Sequence, residues 1–321
     1  MKSADEIKKI ACRTINDESK AIENLQNFID DDFVKVVDLL LNSKGRAILT
    51  GIGKSANIAL KIVATLNSTG TPAIFMHAAD AIHGDLGNVQ GDDVVLCLSK
   101  SGNTPEVKLL VPLIRNMGNT IVAIVGNTSS YLAQESDFVL NTTVDKEACP
   151  NNLAPTSSTT AQLVMGDALA VCLLECRGFT TADFAKYHPG GALGKQLYLK
   201  VEDVYRNNES PSVDAEDDIR HTIIEISSKR LGCAAVIFNN ELVGMVTDGD
   251  LRRMLQQNEK IDGLMAKDIM SLKPKTITPE TLLINALSMM RGNNITQLLV
   301  VENSTYLGII HLHDILKEGI I

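Results

Sequence analysis

The chain has no tryptophan, and aromatic residues fill only 4% of its 321 positions. Its core must therefore be aliphatic, and with 45% hydrophobic residues the chain has ample material for one. At about 150 residues per domain, two domains are expected. No uninterrupted apolar run approaches the roughly 20 residues of a membrane span, so no membrane partner is expected. Positive charge is also short: 30 Lys and Arg stand against 39 Asp and Glu, a net charge of −9. That argues against a nucleic-acid partner, which would ask for a basic face. The opening MKSADEIKKIA lacks an apolar h-region, so a cytoplasmic protein without a secretory signal is expected. Six cysteines (12, 97, 149, 172, 176 and 233) form no C-x-x-C pair. They fit a reducing compartment better than a disulfide framework, with Cys97 a buried, inert thiol.

What is present is alternation. Residues 3–43 carry helical spacing at Ile7, Ile10, Ile22, Leu25, Ile29, Val36 and Leu40. Short apolar runs follow at 46–50, 72–77, 93–99, 120–127 and 137–142, the texture of parallel strands buried on both faces. Helical patterns lie between them at 55–67, about 78–88, 105–117 and 129–135, and a long helix is expected over 156–178. The fold class is α/β, a doubly wound five-stranded parallel sheet. Residues 179–200, with HPGGALGK at the centre, read as loop. From about 204 the texture repeats: VGMVTDGDLRRML (243–255) resembles LGIIHLHDILKEG (307–319) at an offset of about 64 residues. Two β-α-β-β-α copies are implied, an α+β pair in which neither copy buries its sheet alone.

Ligands of such sheets bind beyond the C-terminal strand ends, so those loops carry the interest. GIGKS (51–55) matches the end of the nucleotide phosphate loop, G-x-x-x-x-G-K-[ST], but the leading glycine position holds Ile48. What remains is a glycine turn and a helix start bearing Lys54, suited to some phosphate. The loop Ser99-Lys100-Ser101-Gly102-Asn103-Thr104-Pro105-Glu106 offers hydroxyls at another helix start. It reads as a phosphate cradle or as an ordinary capped helix. LAPTSSTTA (153–161) is a further hydroxyl run of the same two readings. Glu147 belongs to no helical or strand face. His83 and His188 lie in glycine-rich loops. Thr247, Asp250 and Asp314 read as ligand contacts or helix caps, and His311-x-His313 lacks a third metal ligand nearby in sequence.

GIGKS, STGTPAIFMHAADAIHGDLG, SKSGNTPE, KEACPNNLAPTSSTTAQLVMGDALA and FAKYHPGGALGK together resemble the D-arabinose 5-phosphate isomerases. These join a sugar-isomerase (SIS) domain to two cystathionine-β-synthase (CBS) motifs. The likeness covers essentially the whole chain, and the KEACP…LAPTSSTT and HPGGALGK blocks are its most specific parts. It implies N-terminal helices at 1–43, an SIS core at 44–178, a linker at 179–203, and CBS units at 204–262 and 267–321. It implies interconversion of D-ribulose 5-phosphate and D-arabinose 5-phosphate, feeding the sugar acid Kdo for lipopolysaccharide, by cytoplasmic homotetramers joined through SIS domains. Essential positions fall on Lys54, Glu106, Glu147 and His188. Substrate-contacting positions fall on Ser55, Gly70, Thr71, His83, Ser99, Ser101 and Thr104. No cofactor is required, and His77 matches a position where zinc inhibits. The CBS pair is expected to take a nucleotide or CMP-Kdo, or to be structural. Two departures bear on that pair: VEDVYRNNE (201–209) replaces the usual entry to the first unit, and His311 replaces a hydroxyl in the second. The residues alone leave open which of Glu106, Glu147, His188 or His83 is the base. A sugar-phosphate sensor is a weaker reading, since the acidic chain shows no helix-turn-helix with a basic face.

Overall fold

The computed structural model describes residues 2–257 and 261–320. The chain divides into two compact units, Met1–Tyr187 and His188–Ile321. The expected bounds 1–43, 204–262 and 267–321 take in residues 1, 258–260 and 321, which lie outside the described residues.

In the first unit α1 (Ala4–Asn24) and α2 (Asp31–Asn42) lead into the sheet. The expected N-terminal helices are these two, joined by a 3-10 turn at Leu25–Phe28, and Asp30 caps α2 by accepting from the N–H groups of Asp32 and Phe33. Then β1 (Ala47–Gly51), α3 (Gly53–Ser68), β2 (Ala73–His77), the short α4 (Ala78–Ala81), β3 (Val94–Ser99), α5 (Pro105–Asn116), β4 (Thr120–Val125), α6 (Tyr131–Glu135) and β5 (Phe138–Asn141) alternate. The helical stretch expected to about 88 is split: α4 ends at Ala81, Gly84 turns at a positive φ of 128°, and a 3-10 turn follows at Asp85–Asn88. All five strands are parallel, in the order β2-β1-β3-β4-β5. The chain leaves β1 toward one edge and returns past it to β3. The helices that follow β1 and β3 therefore lie on opposite faces, and a crevice opens between their starts.

One face is covered by α2, α3 and α7 (Ser157–Cys176) around Leu49, Leu96, Ile62, Leu66 and Leu169. The other is covered by α4, α5 and α6 around Ile48, Val95, Leu110 and Ile114. Cys97 lies in that second cluster, and burial pushes its thiol up to about 12. By length and composition α7 is apolar enough to cross a membrane, contrary to the sequence expectation. Here it is a core helix, with Ala161, Met165, Leu169 and Leu173 buried.

Gly166 sets the approach of α7 to α3. A Cβ there would lie 2.3 Å from Ile62 Cδ1 and 2.5 Å from Cγ1, and Ile62 is wholly buried. Alanine normally gains about 1 kcal/mol over glycine in a helix. Overpacking of this kind costs about 1–3 kcal/mol, so the sign reverses. Gly166→Ala should lower the denaturant midpoint at unchanged slope, and a raised midpoint would refute the clash.

The expected loop at 179–200 is corrected. It holds α8 (Thr181–Tyr187), which closes the first unit, and α9 (Ala192–Tyr198), which opens the second, separated by a turn at 188–191. Three glycines and a proline give this stretch a loop's composition. Yet Gly194 sits inside α9 because a Cβ would lie 2.3 Å from the His188 carbonyl oxygen.

The second unit continues with α10 (Glu202–Tyr205) and then the duplication. The first copy is β6 (Ser212–Asp214), α11 (Ile219–Lys229), β7 (Cys233–Phe238), β8 (Glu241–Thr247) and α12 (Asp248–Gln257). After α13 (Ala266–Ile269) and β9 (Ser271–Leu272), the second copy is β10 (Thr276–Ile277), α14 (Leu283–Asn293), β11 (Gln297–Glu302), β12 (Thr305–His311) and α15 (Leu312–Lys317). Each copy has its own cluster, and a shared one joins Cys233 and Ala235 to Leu299 and Ile309. The β7–β8 register shifts after Val236 and the β11–β12 register after Val300, so the duplication extends to its irregularities.

Candidate active site

Gly51 ends β1 fully buried, its α-carbon so close to the first turn of α3 that a Cβ would come 3.1 Å from Ser55 C and 3.2 Å from Leu98 O. Gly53 then takes a φ of +56°, which lets the chain reverse into α3. No side chain caps α3, whose N-cap is Ile52. Its first N–H groups and positive dipole end face the crevice unanswered by protein side chains. The second wall repeats the device. Gly102 has φ +62° and no room for a side chain, because a Cβ would overlap Ser130. Thr104 is the N-cap of α5, yet its buried Oγ1 has no hydrogen-bond partner. Ser99 Oγ accepts from the Gly102 N–H at 3.0 Å, fixing the turn.

Between these walls lies a cleft of about 300 Å³. It is lined by Lys54, Ser55, Ser99, Ser101 and Thr104, as the sequence suggested, and also by Lys100 and by Ser158 and Thr159 of α7. Hydroxyls, two lysines and uncapped helix starts make an anion site.

Behind the cleft sits Glu147, its side chain fully buried. Oε1 accepts from Lys100 Nζ and from Ser158 Oγ, both at 2.5 Å. Oε2 accepts from the Thr156 N–H at 2.8 Å and from Thr156 Oγ1 and the Ser158 N–H at 3.2 Å. Burial pushes the carboxyl up, but Lys100, Ser158 and the two N–H groups outweigh it and hold the carboxyl down at about 2. Glu147 thus caps α7 from outside, and all its acceptor sites are engaged. A carboxylate so placed is held as the anion, its acceptor sites taken by the chain's own donors.

The other expected residues scatter. Glu106 is half-buried in the first turn of α5, beyond Thr104. His83 is exposed in the loop after α4. His77 ends β2 beside Gly51 of β1, with Nδ1 3.6 Å from Asp80 Oδ2, and no group of three metal-binding side chains occurs among the described residues. Gly70 and Thr71 lie in the turn before β2, at the N-terminal edge of the sheet, opposite the cleft. Arg177 donates to the Gly70 carbonyl and to Thr71 Oγ1, so the expected substrate contact is corrected to a structural junction. His188 is the first residue of the second unit, and its carbonyl accepts from the Gly191 N–H.

The CBS candidates resolve as caps. Asp250 Oδ2 accepts from the N–H and Oγ1 of Thr247, while its Oδ1 meets Arg253 and Ser271. Asp314 Oδ2 accepts from the His311 N–H and from Asn208 Nδ2. His311 Nδ1 accepts from the His313 N–H, so this pair completes a helix start.

Sequence reading missed Lys100 as a functional group. The only signal was its place between two serines at a strand's C-terminal end; its partner Glu147 is 47 residues away.

A family model described as SIS domain matches residues 39–172, and one described as CBS domain matches 201–257 and 266–320. The arabinose 5-phosphate isomerase KdsD of Pseudomonas aeruginosa PAO1 is 46% identical over 313 residues, 97% of this chain and 96% of that protein. The KdsD enzyme of Escherichia coli K12 is 40% identical over 306 residues, 95% of this chain and 93% of that protein. The structure of an E. coli CFT073 protein in complex with arabinose 5-phosphate is 38% identical with a TM-score of 0.57, covering 59% of this chain and all of that one.

Proposed function

The chain belongs to the arabinose 5-phosphate isomerase family, and from that premise we propose that its first unit interconverts D-ribulose 5-phosphate and D-arabinose 5-phosphate. The observation that carries this reading is the cleft at the β1/β3 crossover, where two uncapped helix starts, six hydroxyl side chains and two lysines line one space.

The reaction moves a proton between C1 and C2 of the open-chain sugar through a cis-enediol. Ser55, Ser99, Ser101 and Thr104 with the helix N–H groups take the phosphate. Lys54 offsets the charge of the phosphate or of the enediolate. The proton is carried by His188, Glu106 or His83, each group of this kind supplying about 10²–10⁴-fold. Neither a metal nor a redox cofactor is part of this scheme, and zinc at His77 would inhibit. The product feeds Kdo for lipopolysaccharide. We further propose a cytoplasmic homotetramer joined through the first unit. In support, α1 buries none of its residues and leaves Ile7 and Ile15 56% and 69% exposed. A nucleotide or CMP-Kdo at the CBS pair would have to use groups other than the engaged Asp250 and Asp314, and calorimetry with AMP, ATP and CMP-Kdo tests for it.

The reading is tested by proton NMR on EDTA-treated protein with D-ribulose 5-phosphate in heavy water. Arabinose 5-phosphate carrying deuterium at C2 is expected. Binding without turnover would leave a recognition module and sink the isomerase.

A further inference from the structure

We propose that Lys100 binds the substrate's phosphate as a second cation of the cleft and that Glu147 is its positioning residue. This rests on the reading of the cleft as a sugar-phosphate site.

A buried carboxylate beside an anion site is at first sight a fault. A phosphate monoester brings a charge of about −1.5 to −2 at neutral pH, and Glu147 is ionised and close behind the hydroxyls that would meet it. Lys54 alone leaves the cleft with an excess of negative charge once phosphate enters. Lys100 lines the same cleft, and Glu147, which does not line it, meets the Lys100 ammonium at 2.5 Å. That ammonium screens the carboxylate from the incoming anion. An ammonium has three N–H donors; Glu147 takes one, and the side chain is 44% exposed, which leaves the others for a ligand.

Its position is also fixed in advance. Lysine loses up to about 2 kcal/mol of rotamer freedom when ordered on binding. Here the stem lies over Gly126, where a Cβ would come 3.4 Å from Lys100 Cγ and 3.0 Å from its carbonyl oxygen. The Gly126 N–H donates to that carbonyl, and Glu147 holds the ammonium. Glu147 in turn is fixed by four further donors, two of them backbone N–H groups at the start of α7. The chain of contacts runs from α7 through Glu147 to Lys100, so the cation is placed by the fold and not by the ligand.

The test measures KM for D-ribulose 5-phosphate and Ki for inorganic phosphate in the full-length protein. In Lys100→Met both constants should rise about 10–100-fold, the range of a charge-assisted hydrogen bond, while kcat holds within about threefold. Lys100→Arg, which keeps the charge, should stay closer to wild type than Lys100→Met. The double variant Lys100→Met with Glu147→Gln leaves no unpaired buried charge, so it guards against simple misfolding. Its Ki should stay raised. A Ki back at the wild-type value would mean that Lys100 only neutralises Glu147, and the proposal would fall. It falls equally if Lys100→Met leaves both constants unchanged in an active enzyme. If the wild-type protein neither turns over the sugar nor is inhibited by phosphate, the fault lies in the reading of the cleft itself.

Discussion

Glu147→Gln is expected to cost about 1.5–3 kcal/mol of stability at pH 7, the range for hydrogen bonds to a charged group, and to lower turnover with it. The amide can accept on one side only, so its NH₂ would confront either Lys100 or the N–H groups of Thr156 and Ser158. The start of α7 would shift, carrying Ser158 and Thr159 of the cleft wall with it. The effect has a pH signature. The carboxyl sits at about 2 in the folded chain, against an ordinary 4.5. Its folded pKa is depressed, so the stabilisation is complete above about 4.5 and is lost as pH falls toward 2. That shift corresponds to about 3 kcal/mol. Denaturant midpoints of wild type and variant should therefore differ widely at pH 7, draw together below about 4.5 and converge only as pH falls to about 2. Equal midpoints at pH 7 would show that the network carries no stability. The same low value means that Glu147 is ionised throughout any practical assay range. An acid limb of kcat/KM near pH 6 would belong to another group.

Lys54→Met is expected to lower kcat/KM by about 10²–10³, the loss seen when one preorganised partner of a developing oxyanion is removed. Lys54 is the second helical residue of α3 and stands at the lip of the cleft, exposed and without a protein carboxylate partner among the described ion pairs. If it serves the phosphate alone, the loss falls on KM. If it serves the enediolate, kcat and kcat/KM fall together. A variant with both constants near wild type would remove Lys54 from the site. This split also separates the two lysines, since Lys100 is expected to act on KM alone.

The frame of the molecule was legible because it is written in local pattern. The five apolar runs became five strands within a residue or two at each end, since strands buried on both faces leave little choice of residue. GIGKS and SKSGNT were legible as cleft walls because positive-φ glycines at strand ends leave few other uses. The stretch around HPGGALGK misled because glycine there serves close packing as well as turns. Gly194 looks like a helix breaker and is in fact the residue that lets α9 pass a carbonyl. Thr71 was placed at the substrate by resemblance, and only the topology shows that it lies at the wrong end of the sheet. Glu147 and Lys100 were opaque for a deeper reason. A glutamate without a helical or strand face carries no local sign of burial, and its meaning arises from a contact spanning 47 residues.

The internal duplication bears on how the chain avoids assembling with itself wrongly. Ala235 and Leu299 occupy equivalent positions of their copies, opposite Met245 and Ile309 in the two hairpins, and both point into the one cluster the copies share. At this equivalent position the joint carries one small and one large residue. Two first copies brought together would face alanine with alanine and leave a void, and two second copies would crowd leucine against leucine. Strand exchange between neighbouring chains is a standing hazard of repeated modules. A small residue in one copy and a large one in the other would penalise like-with-like pairing at this position, so the two halves, alike in outline, are not interchangeable there.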